Sequence, residues 1–78
     1  MIIMQDFCSD YYVRISKNIK KLRLKEKLSQ EKFSEKIGCS REYISRLENY
    51  HEHAGLDFIL KLAYIYHLEV EYFFASEL

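Results

Sequence analysis

Arg41, Ser45 and Asn49 recur at steps of four along one short segment of the chain, flanked by Glu42 and Arg46, which are themselves four apart. At those steps, side chains share one side of an α-helix. The apolar residues of the segment, Ile44 and Leu47, lie three apart and take the other side, so the polar set faces away from any core. A helix with that outward chemistry suits the major groove of duplex DNA, where each base pair shows its own pattern of donors, acceptors and methyl groups. Arginine offers guanine a two-pronged donor, which makes Arg41 and Arg46 the leading base readers. Glu42 would be repelled by phosphates. It either lies at the groove floor, accepting from a cytosine amino group, or serves only as an acid near a helix N-terminus. Tyr43 is open between contact with a thymine methyl or phosphate and packing along the edge of the protein.

Other chemistries find little support. His51 and His53 lack a third ligand at a convincing spacing, so no metal is expected. There is no glycine-rich phosphate loop, no nucleophile elbow and no shielded pair of carboxylates, so neither catalysis, a cofactor nor a small-molecule ligand is expected. A chain of 78 residues with 15 % aromatics and no proline fits one small helical domain spanning 1–78, with residues 1–12 as an N-terminal extension. Its apolar runs are far too short to span a bilayer. The opening MIIMQDFCSD lacks the basic and long apolar regions of a secretory signal, so a cytoplasmic location is expected, with Cys8 and Cys39 as reduced thiols.

The formal net charge is zero, but it is unevenly spread. Residues 14–46 carry eleven basic and four acidic side chains, a net +7, whereas residues 47–78 carry one basic and six acidic, a net −5. Such asymmetry can give a neutral protein a basic face. Lys17, Lys20, Lys21 and Lys32 are candidates for sequence-independent attraction to phosphate, against the ordinary alternative of a solvated helix surface.

The elements that must position these residues follow from apolar spacing and punctuation. Ile15, Ile19 and Leu22 define the buried face of a first helix over roughly Asp10–Glu26. A second begins after Ser29, buries Phe33 and Ile37, and ends at Gly38, which can take the left-handed conformation. Ser40 caps a third, from about Arg41 to Asn49. A fourth, near Leu56–Tyr66, is expected to bury Ile59, Leu60, Leu62 and Ala63. A fifth, near Val70–Ser76, returns Val70, Phe73 and Phe74 over the bundle. The fold class is therefore all-α and five-helical, with a helix-turn-helix at helices 2 and 3.

Three segments carry a resemblance: IxxNIKKLR at 15–23, LSQEKFSEKIGCSREYISRLEN at 28–49 and LDFILKLAYIY at 56–66. In that order and spacing they resemble the lambda-repressor-like (Cro-type, XRE) helix-turn-helix family over residues 15–74. The resemblance implies a compact five-helix DNA-binding domain. It places Ser29 and Gln30 where the family holds a DNA phosphate and braces the reading helix. Arg41, Glu42, Tyr43, Ser45 and Arg46 fall where it faces bases, Asn49 where it commonly touches phosphate, and the capping Ser40 joins this DNA-binding set. Arg23 and Glu48 match a pair that often forms a buried salt bridge in relatives. Ser34 departs from the usual alanine. Lys27 and His67 stand where glycine commonly closes a helix, so each loop must be strained or take another path. The usual glycine and proline after the third helix are replaced by Tyr50, His51, Glu52, His53, Ala54 and Gly55, so a loop that in relatives often gives basic phosphate contacts carries histidines and an acid here.

One reading helix covers only a few base pairs. A homodimer on a pseudo-palindromic operator, with half-sites about 34 Å apart, is the expected solution. Its contact is expected at Ile65, Tyr66, Tyr72 and Phe74, within an aromatic surface that also includes Tyr64 and Phe73 and is extended by Ile2, Ile3 and Phe7. The expected function is sequence-specific transcriptional regulation, as a repressor or autoregulator resembling restriction-modification controllers and small phage regulators. The alternative is an antitoxin-like protein-interaction module.

Overall fold

A computed structural model describes residues 4–76, and their side chains from residue 8 onward. Four α-helices follow one another: α1 (Met4–Lys25), α2 (Gln30–Ile37), α3 (Arg41–Glu48) and α4 (Leu56–Tyr66). A 3-10 helix over Val70–Phe74 completes the order, and no strand occurs among the described residues. Helix α1 begins six residues before its expected start, because neither glycine nor proline interrupts the chain between Met4 and Lys25.

The core is made by one apolar stripe from each helix. Ile15, Ile19 and Leu22 of α1 meet Phe33 and Ile37 of α2, Ile44 and Leu47 of α3, and Ile59, Leu62 and Ala63 of α4. Phe73 seals it with no exposed surface. Leu60 does not join them as expected: it is 45 % exposed and continues an outer line with Leu56 and Tyr64, each four residues away. A helix of this width buries one stripe, and Leu60 is rotated about 100° from Ile59. The serine at position 34 is accommodated because its hydroxyl, though buried, donates to the Glu31 carbonyl at 2.7 Å.

The expected fifth α-helix is a single 3-10 segment that stops before Ser76. Its residues, Val-Glu-Tyr-Phe-Phe, are mostly weak helix formers. The carbonyls at its end are taken by side chains of α1 rather than by a further turn. Asn18 Nδ2 donates to Phe73 O at 3.0 Å and Ala75 O at 2.9 Å, and Arg14 Nη1 to Phe74 O at 3.4 Å. These bonds draw the C-terminal segment against α1.

All four α-helices close in the same way. A residue in the left-handed region follows each helix, and the next N–H reaches back five residues: Leu28 to Arg23 O, Cys39 to Ser34 O, His51 to Arg46 O and Leu68 to Ala63 O. Only one of the four left-handed residues is glycine, Gly38 at φ 77°; the others are Lys27 at 59°, Tyr50 at 62° and His67 at 54°. Lys27 and His67 thus take the strained path, which costs an L-residue on the order of 1 kcal/mol. His67 is exposed, so His67→Gly is expected to raise the melting temperature by about 4–8 °C per kcal/mol recovered. Thermal denaturation followed by circular dichroism measures it, and an unchanged or lowered midpoint would show that His67 makes a compensating contact.

Candidate nucleic-acid interface

Helix α3 is held at its start, along its length and at its end. Ser40 has an extended backbone, and its Oγ accepts from the Tyr43 N–H at 3.0 Å. Ser29 does the same for α2, accepting from Lys32 N at 3.1 Å. Such caps satisfy helix N–H groups that have no partner within the helix. Between them Gly38 makes the turn; a Cβ there would approach Lys61 Nζ to 3.2 Å, and its φ is one that side chains rarely adopt. Beside the turn, burial raises the Cys39 thiol, against the opposing pull of Lys61. Cys8 and Cys39 are both free. At the far end Asn49 Nδ2 donates to Ser45 O at 2.9 Å, closing α3 with its own side chain.

Along its inner side α3 is tied down by one carboxylate. Glu48 Oε2 accepts from Arg23 Nε at 2.7 Å, and Oε1 accepts from Arg23 Nη2 at 2.9 Å and Gln30 Nε2 at 3.0 Å. Arg23 Nη1 donates to Leu28 O at 2.8 Å, the carbonyl between α1 and α2. The side chains of Arg23 and Glu48 are only 11 % and 4 % exposed, so the pair is buried and two-pronged, the strong form of this interaction. One carboxylate thus joins three helices, with Gln30 as a member that braces α3.

The outer side of α3 is polar. Arg41, Glu42, Arg46 and Asn49 are exposed and Ser45 is half-buried, while Ile44 and Leu47 have no exposed surface. Tyr43 stands apart from this set: its ring meets Phe58 of α4 edge-on at 5.2 Å, tying the two helices together. Burial, and after it the Glu52 carboxylate, raises the Tyr43 phenol above its ordinary range. Arg46 lies with its guanidinium carbon 5.9 Å from the Tyr43 ring centroid, and its Nε donates to Glu52 Oε1 at 3.1 Å. Position alone gave no signal for the Glu52 contact, since Glu52 belongs to the loop beyond the helix. The loop is anchored further on, where His53 stacks on Tyr12 of α1 at 3.8 Å and 6°.

Lys17, Lys20 and Lys21 are exposed around Leu24 on α1. Lys32 is exposed too, 3.7 Å from Glu35. Of the basic run 14–46, Arg23 is spent inside the protein and does not contribute to a basic face.

The residues expected at a dimer contact, Ile65, Tyr66, Tyr72 and Phe74, are each half-buried against the core of their own chain. Phe73 is wholly internal, whereas Tyr64 is 82 % exposed. Ile2 and Ile3 lie outside the described residues, as does the side chain of Phe7. Tyr66 stacks on Phe33 at 6.2 Å and carries Lys36 Nζ 4.6 Å above its ring, yet its buried hydroxyl has no hydrogen-bond partner among the described residues. An orphaned buried hydroxyl costs about 1–3 kcal/mol. Tyr66→Phe is therefore expected to raise the urea midpoint with an unchanged slope; a fall would mean that the hydroxyl is satisfied in solution.

Two short helices joined at a glycine turn, the second locked from behind and polar in front, define a helix-turn-helix DNA-binding domain. A family model described as helix-turn-helix matches residues 19–73, and the chain belongs to that family, the XRE-type, lambda-repressor-like DNA-binding proteins. No curated protein and no solved structure matches the chain. Among the described residues no helix is long and apolar enough to cross a membrane.

Proposed function

We propose that the protein is a transcriptional regulator that binds duplex DNA sequence-specifically, as a homodimer acting as repressor or autoregulator on a pseudo-palindromic operator. One observation carries this reading: the polar face of α3 is held outward by an inner side that cannot turn, because Ile44 and Leu47 are fully buried and Glu48 is bonded to two other helices. Rigid presentation limits the ordering that binding would otherwise have to impose. In this reading Arg41 and Arg46 read guanines, and Glu42 and Ser45 lie over neighbouring bases. Asn49, Ser29, Gln30 and Ser40 hold phosphates. The two capping serines accept from backbone N–H groups and keep their hydroxyl protons to donate. Gln30 likewise keeps a second amide hydrogen. Tyr43 acts from the edge, supporting Arg46. We place the dimer contact at the rim of Ile65, Tyr66, Tyr72 and Phe74, each partly open to solvent.

Selection of bound sites from random duplex DNA tests the reading, because it yields both motif and half-site spacing. A recovered inverted repeat with centres about one DNA turn apart supports it. Recovery of unrelated sequences would overturn it. The exposed line Leu56, Leu60 and Tyr64 on α4 favours a second reading, an antitoxin-like module that binds a partner protein. Affinity for DNA that falls steeply with salt supports the first; tight, salt-insensitive binding to a protein supports the second.

A further inference from the structure

Glu52 lies outside α3, in the loop that replaces the family's usual glycine and proline, and it is the only side chain among the described residues that accepts a hydrogen bond from Arg46. Resting on the DNA-reading function proposed above, we propose that Glu52 is a positioning residue that presents Arg46 to a guanine.

The geometry of the guanidinium carries this. Glu52 Oε1 takes only Nε, at 3.1 Å. No hydrogen bond among the described residues takes Nη1 or Nη2. These two nitrogens form the end-on edge that pairs with O6 and N7 of guanine. The Tyr43 ring flanks the group, 5.9 Å from its central carbon, and Tyr43 is itself set against Phe58. Arg46 is therefore held on one edge and flanked on one side, with its reading edge left open.

Glu52 is in turn held by its neighbours. The His51 N–H closes onto the carbonyl of Arg46 itself at 2.8 Å, Tyr50 turns the chain at φ 62°, and His53 stacks on Tyr12. Ala54 is buried just beyond. The acid thus sits where the backbone path puts it, rather than at the end of a free loop. An exposed ion pair of this kind adds little to stability. Its effect falls instead on the freedom of a long side chain, which is costly to immobilise at an interface. The negative charge also works against phosphate attraction, so Glu52 exchanges general affinity for selectivity.

The test compares wild type, Arg46→Ala, Glu52→Ala, Glu52→Gln and the double alanine variant by fluorescence anisotropy. The probes are the selected site, the same site changed at the base pair whose preference Arg46→Ala abolishes, and an unrelated duplex. Glu52→Ala is expected to reduce discrimination at that base pair by about three- to tenfold, the scale of one mobile side chain, while binding to the unrelated duplex holds or tightens. Glu52→Gln retains an acceptor oxygen and is expected to fall between Ala and wild type. The double variant is expected to discriminate no worse than Arg46→Ala alone. Unchanged melting by circular dichroism verifies folding of each protein. The proposal is overturned if Glu52→Ala tightens binding to all three duplexes by a common factor, since Glu52 is then only an electrostatic brake. A wild-type protein without any base preference overturns the DNA-reading function itself, and is seen before any variant is measured.

Discussion

Glu48→Ala is expected to lower stability by about 3–5 kcal/mol, the cost of leaving one partner of a buried ion pair without the other. The substitution strips Arg23 of both its carboxylate bonds and leaves only the Leu28 carbonyl for a guanidinium that is nearly inaccessible to water. It also frees Gln30. Small domains have only about 5–15 kcal/mol in total, so the midpoint of thermal unfolding should drop by on the order of 15 °C or more. Glu48→Gln keeps the shape and one acceptor and is expected to lose less. Circular dichroism melts of the three proteins decide the matter; an alanine variant melting within a few degrees of wild type would refute the cross-tie. Because the same carboxylate holds α3 against α1 and α2, DNA binding should weaken even below the melting point.

The second large effect is expected at the outer face. Arg41→Ala and Arg46→Ala should each cost about 1–3 kcal/mol of DNA binding, concentrated at particular base pairs, with melting unchanged because both side chains are exposed. Lys20→Ala or Lys21→Ala should instead weaken all sequences alike and reduce the salt slope by about one. Binding titrations against single-base variants of the selected site separate the two patterns. Uniform losses from the arginine substitutions would contradict their assignment as base readers and make them phosphate contacts.

Much of the framework that carries α3 was legible because its signals are local. Ser29 and Ser40 are caps within reach of N–H groups three residues on, and Gly38 is a residue suited to the left-handed turn between them. The spacing of Ile44 and Leu47 sets which way the rest of α3 faces. Leu60 was misplaced for a related reason: apolar spacing in α4 admits two adjacent stripes, through Ile59 or through Leu56, Leu60 and Tyr64, and only the packing partners decide between them. The C-terminal segment has apolar spacing compatible with an α-helix, but Asn18 and Arg14, more than fifty residues earlier, supply the partners that let it stop as a 3-10 turn.

What the amino-acid sequence determined alone, then, is the helical character of the chain, the capped pair α2 and α3, and the residues turned outward on α3, since each depends on neighbours within about four positions. The tertiary structure decided where helix ends tolerate Lys27, Tyr50 and His67 in place of glycine, and which residues back the outward set from behind and from the side. Glu52 meets Arg46, and Gln30 meets Glu48, only because helices and loop are stacked in one arrangement. Periodicity specifies a direction around a helix axis; it carries no information about what stands opposite.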